Sequence, residues 1–239
     1  MSQRIIIVGS SSGIGRRMAE IYVSRGFRVG ITGRRSSLLD ELKEKYPEQI
    51  ETACFDITQD ENIAKLNLLV TRLGGMDLLV ISAGTGDLSE DLSWAVDKAT
   101  VDTNVKGFIE IANWAYNYFS AQGHGHLAVI SSIAAVRGNA HAPAYSASKA
   151  FQSIYFEGLS LHSQKLRKPV SVTCIEPGFV KTKMAKGNKQ FWVVPLDKAV
   201  KQIIRGLDKK KRKVYISRRW QIIAAIMKWM PYWLYRRIV

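Results

Sequence analysis

Ile5-Ile6-Ile7-Val8-Gly9-Ser10-Ser11-Ser12-Gly13-Ile14-Gly15 decides the fold of this 239-residue chain. A short, wholly apolar run ends in a glycine-rich turn and passes into a helical pattern. A strand that is apolar throughout suits a place covered on both faces, as in a parallel sheet. Gly9 admits the tight turn. Gly13 lets the backbone come close to a pyrophosphate, and Gly15 lets the helix approach the strand. Ser11, Ser12 and Ile14 complete the turn, and the free N–H groups of the helix start face an anion. No Lys-Ser or Lys-Thr follows, which excludes the triphosphate loop of an NTPase.

Working outward, β-prone runs recur at 29–32, 51–55, 78–82, 127–131, 170–175 and 213–216. Helical patterns begin near Gly13, Ser37, Glu61, Trp94, Val105, Tyr145, Leu196 and Arg219. Strand–helix alternation predicts an α/β fold, a Rossmann-type doubly wound parallel sheet with helices on both faces. With no Pro/Gly/Ser-rich linker and no repeat, the expected organisation is one catalytic domain, 1–216, and a C-terminal amphipathic helical extension, 217–239.

Composition agrees. The chain is 46% hydrophobic and 23% charged, which excludes disorder. Cys54 and Cys174 are too few for a disulfide framework or a four-cysteine zinc site. Both sit in β-prone runs and are expected to be buried thiols in a reducing compartment. The opening residues leave no secretory apolar core, and no apolar run reaches the length of a spanning helix. A cytoplasmic location is expected. His124 and His126 flank a glycine and read as a solvated turn rather than a metal site.

Tyr145-Ser146-Ala147-Ser148-Lys149 sets a phenol and an ammonium one helical turn apart. An ammonium beside a phenol favours the phenolate and lowers its pKa, which fits the phenol for proton exchange with a carbonyl oxygen. Ser132 lies at the end of the fifth strand, thirteen residues earlier, where such a sheet binds ligands. Its hydroxyl is placed to bond a developing oxyanion.

Together these motifs resemble the short-chain dehydrogenase/reductase family. The matching residues are Gly9, Gly13, Ile14 and Gly15, Asp56-Ile57, Ala83-Gly84, Asn104 and Ser131-Ser132. Tyr145, Lys149, Pro177-Gly178, Val180 and Thr182 complete the set. The resemblance implies that Tyr145 is the general acid of reduction and that Lys149 tunes it and bonds the nicotinamide ribose. Ser132 would orient the carbonyl. Asn104 would hold a helix distortion and a water linking Lys149 to solvent. Asp56 would contact the adenine, while Ile175, Pro177-Gly178 and Thr182 would line the nicotinamide side. Two departures, Val8 and Ile81-Ser82 where the family has Thr and Asn-Asn, predict an apolar Val8–Ile81 neighbourhood. Losing both partners of a hydrogen bond costs less than orphaning one.

An NAD enzyme often carries an acid after the second strand. Here Gly33 takes that place, followed by Arg34 and Arg35. A guanidinium matches a 2′-phosphate in charge and donor geometry, so NADP(H) is expected, with Arg34 the main contact.

Residues 205–239 carry eleven basic residues against Asp208, leaving a net +5 on the rest of a chain whose total is +15. Trp220, Trp229, Trp233 and neighbouring apolar residues join these cations, the composition of a helix lying at a membrane interface. Pro231 is expected to divide it. Packing on the domain, a part in the substrate entrance, or nucleic-acid binding compete with that reading, nucleic acid least. Phe179, Met184, Phe191, Trp192 and Val193 are expected to line an apolar lid, with His141 bordering the pocket. The function read from the sequence is NADPH-dependent reduction of a ketone or aldehyde, lipid-like by its lid and tail. A steroid or small-metabolite reductase and a cofactor-binding regulator without turnover are the alternatives. A homodimer or homotetramer is implied by the resemblance alone.

Overall fold

The computed structural model describes residues 3–89, 91–182 and 191–237. Seven parallel strands form one sheet in the order β3-β2-β1-β4-β5-β6-β7. They are β1 (Arg4–Val8), β2 (Arg28–Gly33), β3 (Ile50–Cys54), β4 (Leu78–Ile81), β5 (Gly125–Ile130), β6 (Val170–Pro177) and β7 (Lys213–Ile216). Strand order reverses between β1 and β4, so a crevice opens at their carboxyl ends.

Strand side chains alternate between two apolar layers. Ile5 and Ile7 pack with α1 (Gly13–Ser24), α2 (Ser36–Lys45) and α7 (Leu196–Asp208). Ile6 and Val8 pack with α3 (Asn62–Leu73), α5 (Phe108–Gln122) and α6 (Pro143–Lys165). Val8 and Ile81 are register partners and both are buried, the apolar neighbourhood expected there.

Helix α4 (Trp94–Val101) runs into α5 through a π turn at Asp102–Gly107, with no break near Val105. After Pro231, α8 (Arg218–Trp229) gives way to a short α9 (Tyr232–Tyr235). Among the described residues no helix is long and apolar enough to cross a membrane, and no group of three His, Cys, Asp or Glu could hold a metal.

Three local expectations are corrected. Cys54 is exposed, because β3 is an edge strand and Cys54 is its last residue; only Cys174 is buried. His126 belongs to β5 rather than to a solvated turn. It is buried, with Nε2 2.7 Å from Thr173 Oγ1 on β6. β5 stops at Ile130, so Ser131 and Ser132 lie just past the strand, where Ser132 caps a 3-10 turn, Ile133–Ala135.

Candidate active site

The glycine turn leaves β1 with Gly9 N–H and Ser10 N–H both donating to Thr32 O, at 3.1 and 2.7 Å. Ser10 Oγ donates to Ile7 O at 2.6 Å. Gly9 has φ +90°, and a Cβ there would sit 2.5 Å from the backbone N of Ala83. The turn therefore lies against the chain leaving β4, and only glycine fits. Gly15 backs onto Gly9 O. Gly13, at φ +59°, faces Thr182, whose Cγ2 would be 3.7 Å from a Cβ at that glycine. The start of α1 thus lies beside the segment after β6. Ser11 is buried against Gly33 and Ser12 is exposed, accepting from Arg35 Nη2 at 3.0 Å. Ile14 is half-buried on α1.

Arg34 and Arg35 are exposed after β2. Arg34 Nη1 lies 3.4 Å from Asp56 Oδ2. The Asp56 carboxyl also accepts from Thr58 N–H and Thr58 Oγ1, both at 2.9 Å. Burial alone would raise its pKa; the Thr58 bonds and Arg34 outweigh that and hold it below the usual carboxylate range. Ile57 is buried beside it, with its carbonyl against Gly107 of the π turn.

The catalytic candidates meet at the end of β5. Ser132 Oγ accepts Ala134 N–H at 3.1 Å and also shares a hydrogen bond with the Tyr145 phenol. Tyr145 opens α6, and its ring lies against Gly86, where any Cβ would strike it. The expected lowering of the Tyr145 pKa is not found. Burial pushes the phenol above its ordinary range, Ser132 acting the other way, and Lys149 Nζ stands 5.8 Å from the ring centroid.

Lys149 is buried, with Nζ donating to Ile130 O at 3.1 Å and to Gln152 Oε1 at 3.0 Å. Burial pushes its ammonium down to about 8. Asn104 sits in the π turn, fully buried. Its Oδ1 accepts Thr85 N–H at 2.9 Å, and its Nδ2 donates to Thr85 O at 2.6 Å and Ser148 Oγ at 3.0 Å. It staples the chain after Ala83-Gly84 to the catalytic helix. Gly84 faces both partners: a Cβ there would stand 3.2 Å from Asn104 Oδ1 and 3.3 Å from Lys149 Nζ.

Past β6, Val180 bridges Val194, with Lys181 N–H donating to Val194 O at 3.0 Å and Val194 N–H to Phe179 O at 2.8 Å. The bases of the 179–194 segment are thereby pinned. Met184 lies outside the described residues. Phe179 and Phe191 close on Trp220, centroids 5.5 and 5.1 Å away, while Trp192 and Val193 are exposed. The Trp220 indole covers Gly178, beside the buried Pro177. Arg137 donates to Met227 O and Met230 O at 3.1 and 2.7 Å, and Tyr235 Oη donates to Gly138 O at 2.7 Å. The tail therefore packs on Gly178, Arg137 and Gly138, next to the 3-10 turn that Ser132 caps. His141 is exposed.

Sequence reasoning missed Gly86 and Gln152. Gly86 follows the Ala83-Gly84 motif and was visible as a second glycine. Gln152 had no signal, since its role depends on what faces it.

The short chain dehydrogenase family profile matches residues 3–191. The chain belongs to the short-chain dehydrogenase family of oxidoreductases. An uncharacterized oxidoreductase of Mycobacterium tuberculosis is 31% identical over 98% of this chain and 96% of its own length. One of Myxococcus xanthus is 36% identical over 79% and 76%. A short chain dehydrogenase from Burkholderia cenocepacia, solved in complex with NADP, superposes with a TM-score of 0.85 at 20% identity. That superposition covers 100% of this chain and 98% of the other.

Proposed function

We propose that this short-chain dehydrogenase reduces a ketone or aldehyde with NADPH, and that its substrate is lipid-like. The observation that carries the reading is the convergence of Ser132, Tyr145, Lys149 and Asn104 beside a glycine turn that faces Thr182. The cofactor fits the residues present. Gly9, Ser11, Ser12, Gly13, Ile14 and Gly15 would cradle the pyrophosphate at the start of α1. Arg34, with Arg35, would hold a 2′-phosphate, and no acid occupies the Gly33 position to repel it. Asp56 and Ile57 would border the adenine. Ala83 and Gly84, with Pro177, Gly178, Val180 and Thr182, would flank the nicotinamide half. The NADP in the Burkholderia cenocepacia structure supports the same choice.

NADPH, when bound, supplies the hydride that forms the new C–H bond. Tyr145 gives its phenol proton to the carbonyl oxygen, so the product is the alcohol. A phenol held above its ordinary range by burial is protonated at neutral pH, as an acid must be. The Ser132 oxygen is held by Ala134 N–H, and its O–H, which shares a hydrogen bond with the Tyr145 phenol, would turn to the carbonyl oxygen as charge develops there. The Lys149 ammonium stabilises the phenolate left behind.

The lipid-like choice rests on the exposed face of Trp192 and the tail. Trp192, Ile222, Ile226, Trp229, Tyr232 and Trp233 are exposed beside Arg218, Arg219, Lys228, Arg236 and Arg237. Burying such rings at an anionic membrane surface is favourable, and the cations match its charge. We take this face to rest on the cytoplasmic side of a membrane, delivering substrate to the site. Exposed Ile154 and Leu161 on α6 and Trp94 on α4 favour a homodimer or homotetramer.

The test is NADPH oxidation over carbonyl compounds of increasing chain length. Turnover that rises with length supports the reading; turnover confined to short or steroid ketones overturns the lipid choice. Tight NADPH binding with no turnover on any compound would overturn the reductase itself.

A further inference from the structure

Gln152 is a polar residue of the catalytic helix to which the motif gives no task. It follows Lys149 by three residues on α6 and is fully buried. A carboxamide is costly to bury unless both ends are bonded. Here both are. Oε1 accepts from Lys149 Nζ at 3.0 Å, and Nε2 donates to Asn104 O at 3.0 Å. The orientation of the amide is forced, because an ammonium only donates and a carbonyl only accepts.

These are the two groups that the family resemblance connects through a water. We propose that Gln152 is the positioning residue of the catalytic lysine. Its carboxamide ties the Lys149 ammonium to the π turn at Asn104, so protons return to the site through the cleft rather than between α5 and α6. The proposal rests on the assignment of Lys149 and Tyr145 made above.

The geometry bears this out in two respects. Ile130 O and Gln152 Oε1 take two of the three ammonium donors, leaving one for the cleft. A water can take up one proton while passing on another; a carboxamide bonded at both ends does not, so it holds the lysine without relaying from it. The other titratable groups around Lys149 are accounted for. Tyr145 lies on the same helix. From β6 come Cys174, a thiol that burial pushes up to about 12 and keeps neutral, and Glu176. Glu176 Oε1 is paired with Lys213 Nζ of β7 at 2.7 Å and accepts from Ser153 Oγ at 2.8 Å. Asp102 of the π turn is taken by Lys98 at 2.5 Å. Gln152 is thus the neutral acceptor that keeps the ammonium charged. Burial has already brought the Lys149 pKa to about 8, so a lost acceptor would be felt at neutral pH.

The experiment is an NMR titration of 13Cε-lysine in the full chain without substrate, with the Lys149 signal identified by its loss in Lys149→Met. Gln152→Met should lower the midpoint by about one pH unit or more. Gln152→Glu should raise it, since a carboxylate favours the ammonium. With NADPH and a turned-over ketone, the alkaline limb of kcat should move in the same directions while KM for the ketone holds. An unshifted midpoint in a folded Gln152→Met would overturn the proposal. Should that variant fail to fold, Gln152→Glu decides alone, and an unshifted midpoint there overturns it equally. Absence of turnover in the wild type would sink the reductase reading and leave the titration to judge Gln152.

Discussion

Asn104, Lys149 and Gln152 are each less than a twentieth exposed, and their polar atoms are bonded to one another or to the backbone. Across the cleft, Phe191 and Trp192 are about half exposed and Trp229 is 83% exposed, held by ring contacts and a few backbone bonds from Arg137 and Tyr235. The first region tolerates few residue types, because a buried polar group without its partner is costly. The second tolerates many, because exposed apolar contacts depend on area and not on geometry. The buried network is therefore tightly specified, whereas the exposed rim, on which the proposed choice of a lipid-like substrate depends, is not.

Substitutions in the two regions should separate by size. Lys149→Met should lower kcat by about 10²- to 10⁴-fold, measured by NADPH oxidation, with the circular dichroism spectrum unchanged. A retained kcat would mean that the buried network serves stability alone.

His126 extends the contrast to the core. Burial pushes its imidazole down to about 4, so the folded state holds it neutral while the unfolded chain takes up a proton below the ordinary 6.5. Stability from this group is complete above pH 6.5 and is lost as pH falls through about 4. The loss approaches about 3 kcal/mol. Denaturant melts across that window should show the decline in the wild type and a flatter profile in His126→Gln.

Arg34→Ser should weaken NADPH binding by about 10- to 100-fold while sparing NADH, the loss of a charge-assisted contact. Equal weakening of both cofactors would remove Arg34 from the 2′-phosphate. Gly86→Ala should cost about 1–3 kcal/mol, since the added methyl meets the Tyr145 ring. A thermal melt reads that cost, and a raised KM should accompany it. Smallest in stability is Trp229→Ser, within about 0.5 kcal/mol of wild type. It should nonetheless reduce flotation with anionic vesicles. Removing the tail after Ile216 is a poorer test, because it also strips Trp220 from Gly178 and Phe179.

The same contrast explains what was legible in the sequence. Seven strands were placed because short β-prone runs recur between helical patterns and several of them, such as β1 and β4, are apolar throughout; β7 was bounded to the residue. Gly9 was singled out by its place in the turn and Asn104 by the family resemblance alone; the close approach to Ala83 and the bond to Thr85 N–H give the physical reason that few residue types fit there. Cys54 and His126 were misjudged because local composition does not reveal which strand lies at the edge or where a strand begins. Gln152 was invisible, since its two partners are distant carbonyl and ammonium groups joined only by the fold. The direction of the Tyr145 pKa was likewise beyond the sequence: spacing puts Lys149 one turn away, but burial of the phenol, opposed by the Ser132 hydrogen bond, sets the direction.

The most direct test of the account is NADPH oxidation by the wild type and by Tyr145→Phe on the longest ketone that the wild type turns over. The account predicts that NADPH binds both proteins with the same affinity and that turnover in the variant falls by two orders of magnitude or more, by about the contribution of a general acid. Turnover in Tyr145→Phe equal to the wild type would contradict the assignment of the acid and, with it, the mechanism.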